Sequence, residues 1–178
     1  MHVGDLIILA DDRANADGVE WKLVDAMRAR LDIKLEAFSK AATATYGSGT
    51  AYDQRVKEKK QLAKEARKAI GMLNVYIENA FFADAANINH MLLLDQKFPT
   101  DSEEISHYLT TVCAALDNHD NATYPLPVSF TDPIYVVRDD FAKALIDVND
   151  FYEDRRTAFQ TRNLAFAEFK KLLHPIRM

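Results

Sequence analysis

The chain has 178 residues, with 22 Lys and Arg against 27 Asp and Glu, and its formal net charge is −5. This length fits one domain and is enough to bury a core without a covalent or metal staple. A single cysteine, Cys113, excludes an internal disulfide and a cysteine-rich zinc site. The acidic balance argues against a dedicated nucleic-acid binder, and the hydrophobic content of 48% argues against disorder.

The sequence carries no recognisable targeting or membrane-spanning segment. The apolar run Leu6–Ala10 is too short for a signal-peptide core, and no later stretch approaches the ~20 apolar residues that span a bilayer. We therefore expect no membrane insertion and a soluble protein, with the cytoplasm favoured because neither a signal peptide nor a disulfide is visible. Residues 1–178 are predicted to form a single helical-bundle domain, in which 1–17 are an N-terminal extension.

Hydrophobic periodicity predicts a first helix from about Gly18 to Thr45. This helix should stop at the turn-like segment Tyr46–Gly49, and a second helix should run from Thr50 to about Asp84. So short a turn between two long helices predicts an antiparallel hairpin. The apolar residues of the two helices are Val24, Met27, Leu31, Leu35, Phe38 and Ala42, then Tyr52, Val56, Ala63, Ala66, Ile70, Leu73, Ile77 and Phe81.

Four of the five prolines fall within 99–133. Because proline breaks helix interiors, this region is predicted to connect helices in the second half of the chain. Residues 85–98 and a helix over about 101–117 should form two pieces of one rod, broken near Pro99. Thr100 and Glu103 have the spacing of a capping box for the second piece. An irregular connection is expected over 118–132.

The last helix should begin with Asp132 as N-cap and Pro133 as its first residue, and it should reach about residue 173. Its predicted buried face is Val137, Phe141, Leu145, Val148, Tyr152, Phe159, Phe166, Phe169 and Leu173. The predicted fold is therefore all-α: an antiparallel up-down four-helix bundle with two long helices, about 50–84 and 133–173, and a third rod broken near Pro99.

A faint repeat relates residues 52–77 to 152–177, since both segments begin Tyr-acid-x-Arg. It indicates either a duplication or the general similarity of amphipathic helices. In the repeat, Arg55 and Arg155 occupy equivalent positions, and Arg155 lies on a helix face that is otherwise apolar. The two arginines are candidates for contact with an anion or a partner carboxylate. The alternative is that each arginine packs its stem and extends its guanidinium into solvent.

Four residues are candidate metal ligands: Glu104, His107, His119 and Asp120. Glu104 and His107 have the Glu-x-x-His spacing used in di-iron bundles, and the other two residues add an imidazole and a carboxylate. No second Glu-x-x-His occurs in the chain, and an acid in the first turn of a helix is also expected because it complements the helix dipole. No cofactor is predicted.

The basic stretch 55–68 carries seven Lys and Arg residues against two Glu. Such a stretch could contact phosphates along one helix. Its positions circle the helix, however, and the last helix offers Asp139, Asp140, Asp147 and Asp150 as partners for ion pairs. Nucleic-acid binding is therefore the less favoured interpretation.

With no catalytic or cofactor motif in the sequence, we expect a non-enzymatic helical module for protein interaction or assembly, which includes self-association. If Leu6–Leu9 or Leu92–Leu94 remains exposed, it is the predicted contact surface. A bundle that binds a metal or small ligand, and that could be an enzyme, is the alternative. Nucleic-acid binding through 55–68 is the weaker alternative.

Overall fold

A computed structural model describes residue 12 and residues 25–173. Residues 25–173 form four helices, α1 (Asp25–Ala80), α2 (Ala85–Met91), α3 (Ser102–Asp117) and α4 (Val128–Leu173), and no strand occurs among the described residues. The predicted all-α class is confirmed. The chain divides into two compact units. Of the described residues, 12, 25–51 and 152–173 belong to the terminal unit and 52–151 to the central unit. None of the described helices has an apolar stretch long enough to cross a membrane.

Helix α1 continues through Tyr46–Gly49, so the predicted hairpin between two separate helices is wrong. Each glycine costs a helix only about 1 kcal/mol relative to alanine, which a helix packed along its length can absorb. Thr45 and Thr50 turn their hydroxyls back to carbonyl oxygens four residues earlier, at 2.8 and 3.1 Å. The hydroxyls of this segment therefore bond within the helix instead of capping a new one.

The predicted rod over 85–98 is shorter in the structure, because α2 ends at Met91, well before Pro99. Leu93 has φ of 62°, in the left-handed region that interrupts a helix. The Tyr108 hydroxyl donates to the Leu93 carbonyl at 3.0 Å. Leu92 and Leu94, on either side of Leu93, are only 1% and 6% exposed, and their burial holds the turn in this conformation.

Helix α3 begins and ends within one residue of its predicted bounds, but its cap is different. Asp101 is the N-cap, and its Oδ1 accepts hydrogen bonds from the amides of Glu103 at 2.8 Å and Glu104 at 3.3 Å. These bonds lower the pKa of Asp101. The predicted capping pair of Thr100 and Glu103 is therefore wrong, because a carboxylate one position later already binds the first free amides.

Helix α4 starts at Val128, so Asp132 is not its N-cap and the irregular connection is 118–127. Pro133 lies inside the helix rather than at its first position. The ring of Phe130 stacks on Tyr76 at a centroid distance of 4.8 Å. This contact anchors a helical turn ahead of the proline, whose missing N–H costs one backbone hydrogen bond near an exposed end.

The central unit has a continuous core between α1, α2, α3 and α4. Four of the eight residues predicted for the buried face of the second helix are buried, Ala66, Ile70, Leu73 and Ile77, and the other four are partly buried. Val137 and Phe141 of the last helix are buried as predicted. Burial of a side chain such as Phe141 stabilises the fold by about 1.5–3 kcal/mol. The other buried core residues are Ala85, Ile88, Leu92, Leu94, Ile105, Tyr108, Leu109, Val112, Cys113, Leu116 and Ile134.

The terminal unit has a much smaller core. Leu31 and Phe169 are buried against each other, with Met27, Leu35 and Leu172 partly buried beside them. Three aromatic residues predicted to be buried on α4 are about half exposed, so that part of the prediction is wrong: these are Tyr152, Phe159 and Phe166. Their exposure has a simple reason: among the described residues of this unit, α4 has only α1 to pack against.

Candidate functional site

The four candidate metal ligands do not converge. Glu104 and His107 are exposed near the start of α3, whereas His119 and Asp120 follow its end. The two pairs are therefore about 20 Å apart along the helix axis. His119 Nε2 lies 2.8 Å from the Tyr124 carbonyl oxygen, and Asp120 accepts two amides of its own turn. In the described part of the chain, no group of three His, Cys, Asp or Glu residues could hold a metal ion.

The two candidate arginines belong to different units. In the central unit, Arg55 Nη1 donates to Glu58 Oε2 at 2.7 Å, and its guanidinium lies 5.3 Å from the centre of the Phe151 ring. Arg155 is exposed on α4 in the terminal unit, where it also interacts with other groups. The contact of these arginines with an anion or a partner carboxylate stays a prediction.

Two arginines of the basic stretch 55–68 make contacts within the central unit. The guanidinium of Arg67 lies 5.2 Å from the centre of the Phe98 ring, and Arg55 pairs with Glu58 on the same helix. Asp139 pairs with its neighbour Arg138 at 2.8 Å. Among the described residues, no ion pair within 4 Å joins the stretch to α4, so the expected interhelical pairing is not formed.

Of the two segments expected to form a contact surface if they remained exposed, the structure describes only Leu92–Leu94. Leu92 and Leu94 are buried in the central core, in the same cluster as residues of α1, α3 and α4. The condition under which Leu92–Leu94 was expected to form a contact surface is therefore not met. The other predicted surface, Leu6–Leu9, lies outside the described residues.

A groove of about 670 Å³ lies between α1 and α4 in the central unit. Both signs of charge line it: Lys57 on α1, and Lys143, Asp140 and Asp147 on α4. Mixed charge of this kind favours neither phosphate nor a metal ion. The remaining residues of this groove are Gln54, Arg55, Glu58, Gln61, Leu62 and Ala144.

Beyond this charged groove, the surface between α1 and α4 is lined mainly by apolar side chains. Two cavities of about 620 and 200 Å³ share Lys68, Met72 and Phe130. We call this surface the Met72 groove; its residues are Glu65, Lys68, Ala69, Gly71, Met72, Val75, Tyr76, Asn79, Ser129, Phe130 and Pro133. Met72 is 48% exposed and Val75 is 55% exposed, although both lie within a few residues of the buried Leu73.

Helical geometry explains how the Met72 groove forms. Lys68, Met72, Val75 and Asn79 follow one another at steps of four, three and four, so they share one face of α1. This face lies beside the buried one, and the early start of α4 brings Phe130 against it through Tyr76. Periodicity alone missed the groove because it assigned the start of α4 to a loop.

Gly71 is an exposed helical residue at the edge of this groove. A Cβ atom added at this position would meet nothing within 4 Å. Glycine costs a helix interior about 1 kcal/mol relative to alanine. The fold of the described chain therefore gives no packing reason for glycine here, and the missing side chain leaves α1 open to close approach from outside.

A polar cluster between α3 and α4 has structural rather than catalytic properties. The Tyr135 hydroxyl donates to Asp117 Oδ1 at 2.7 Å, and burial together with this hydrogen bond raises the pKa of Tyr135 to about 12. Burial also raises the pKa of the nearby Cys113 thiol. Thiolate is the reactive form, so Cys113 is poorly suited to be a nucleophile.

Comparison with protein-family models, with curated proteins and with solved structures finds no match to this chain.

Proposed function

We propose that this protein is a non-enzymatic helical module for protein interaction or assembly, and that it binds a helix of another polypeptide in the Met72 groove. The observation that carries the proposal is the exposure of Met72 and Val75 beside Phe130 in one apolar depression. Contiguous exposed apolar surface is typical of interaction sites. The antiparallel up-down arrangement of the four helices and a cytoplasmic location are parts of this proposal.

The groove has the features of a site for an amphipathic helix. Its floor is formed by side chains on two helices, and such grooves accept apolar anchors spaced three or four residues apart on a partner helix. Met72 adapts its shape because its side chain is unbranched and polarisable. Lys68 and Asn79 lie at opposite ends of the α1 face, where they provide polar contacts that orient a partner.

Site-specific photocrosslinking tests the proposal. Val75 is replaced by the photoreactive residue benzoylphenylalanine in the full chain, which is expressed in the cells from which it comes. Ile146 provides the matched control, because it is 62% exposed in the same unit but lies outside the Met72 groove. We expect a discrete adduct from position 75 and none from position 146.

The adduct must also depend on the groove itself. Met72→Glu places a charge where a partner side chain would be buried, so it should abolish the adduct while leaving the helical circular dichroism unchanged. The crosslinked polypeptide is then identified by mass spectrometry, and its purified form should bind the chain but not the Met72→Glu variant. Equal crosslinking at both positions, or none at position 75, would overturn the proposal.

A further inference from the structure

We propose that the Met72 groove is covered by a second copy of this chain, with α1 of each copy crossing the other in antiparallel orientation at Gly71. The inference rests on the proposed function and names its partner. It is carried by three exposed positions on α1: Lys64, Gly71 and Glu78.

The three positions share one side of the helix. Lys64 precedes Gly71 by seven residues, and Glu78 follows it by seven. Seven residues make nearly two helical turns, so Lys64 and Glu78 lie on the same side of α1 as Gly71. Along the helix axis, Lys64 lies about 10 Å before Gly71 and Glu78 about 10 Å after it.

A two-fold axis through Gly71 makes this face complementary to itself. In a symmetric dimer each residue contacts the residue related to it by the axis, and the same contact occurs twice. Reversing the helix direction at Gly71 places Lys64 opposite Glu78 of the partner subunit, and Glu78 opposite Lys64 of the partner subunit. Two like charges at these positions would repel, whereas the opposite charges present here attract.

The same axis accounts for the glycine and for the exposed apolar residues. With no side chain at the crossing point, the two α1 backbones can approach closely, and close approach brings flanking side chains into contact. Met72 and Val75 lie within four residues of the axis in each copy, so four exposed apolar side chains are covered together. A partner unrelated to this chain would need no such symmetry of charge.

Charge reversal with rescue is the decisive experiment. Sedimentation velocity and equilibrium on the full chain at low salt should show a dimer of the wild-type protein. Lys64→Glu and Glu78→Lys should each weaken dimerisation by about tenfold or more, because each makes two like-charge contacts. The double variant Lys64→Glu/Glu78→Lys should restore it. Lys97→Glu, which changes net charge equally elsewhere in the central unit, should leave the dissociation constant unchanged.

Gly71→Ala should have opposite effects on the stability of the monomer and on the strength of the dimer. It should raise the melting temperature of the monomer by about 2–4 °C, since alanine favours the helix and its Cβ has free space. It should weaken the dimer, because two methyl groups then separate the crossing helices. Gly49→Ala is the matched control, with the same gain in helix propensity and no expected change in dimerisation.

The outcomes separate this inference from the proposed function. A wild-type chain that stays monomeric up to roughly 100 µM, or a dimer unaffected by the charge reversals, overturns the inference. If position 75 still crosslinks to a different protein, the proposed function stands with another partner. If position 75 crosslinks to nothing, the proposed function fails as well.

Discussion

The hydroxyl of Tyr135 in α4 donates a 2.7 Å hydrogen bond to Oδ1 of Asp117, the last residue of α3. The contact joins these two helices beside the connection 118–127. Burial is the largest cause of the raised pKa of Tyr135, and the hydrogen bond and charge of Asp117 add to it. The folded state therefore favours the neutral phenol, which makes this contact sensitive to alkaline pH.

We predict that the free energy of unfolding falls as Tyr135 ionises. Its folded pKa of about 12 exceeds the ordinary value of 10.0, so the stabilisation is complete below pH 10 and is lost as the pH rises through 12. Tyr135→Phe should remove this part of the pH dependence, measured by thermal melts followed with circular dichroism. Asp117→Asn should lower the Tyr135 pKa but leave it above 10, since burial remains. An unchanged alkaline profile in Tyr135→Phe would contradict the assignment.

The continuity of α1 can be tested at Gly47 and Gly49. Each has free space for a Cβ within a helical backbone, so Gly47→Ala and Gly49→Ala should each stabilise the protein by up to about 1 kcal/mol in urea unfolding. The reverse change at a nearby exposed site, Ala44→Gly, should destabilise it by a similar amount. If the glycines formed a turn instead, both alanine variants would lose stability.

The identity of the α3 cap gives a third prediction. Asp101→Ala should lower the melting temperature by about 2–4 °C, because the amides of Glu103 and Glu104 lose their acceptor. Thr100→Val tests the cap expected from sequence spacing, and it should change the melting temperature little. Calorimetry at neutral pH compares the two variants. A larger fall in melting temperature for Thr100→Val than for Asp101→Ala would show that Thr100 caps α3, as the sequence spacing predicts.

The central core is the main source of stability, and Phe141 is among its largest fully buried side chains. Phe141→Ala should lower the free energy of unfolding by about 3–5 kcal/mol. Phe82 is 90% exposed, and Phe82→Ala should change it by less than about 0.5 kcal/mol. Urea unfolding of the two variants measures both effects. Similar falls in the free energy of unfolding for the two variants would contradict the burial of Phe141 in the core.

The sequence by itself determined the all-α class, the bounds of α3 and the buried face of α1 in the central unit. These features depend on local spacing. Ala66, Ile70, Leu73 and Ile77 recur at the helical period, so one face is apolar wherever that segment packs. Long spans without proline likewise permit long helices in any context.

Only the tertiary structure decided that α1 continues through 46–49, where α4 begins and which apolar residues remain exposed. Whether α1 passes through Gly47 and Gly49 depends on a difference of about 2 kcal/mol, which packing elsewhere along the helix outweighs. The start of α4 depends on Phe130 reaching Tyr76, and the turn at Leu93 depends on Tyr108. These are contacts between residues far apart in the chain, which periodicity within a few turns does not contain. The Met72 groove depends on the contact between Phe130 and Tyr76.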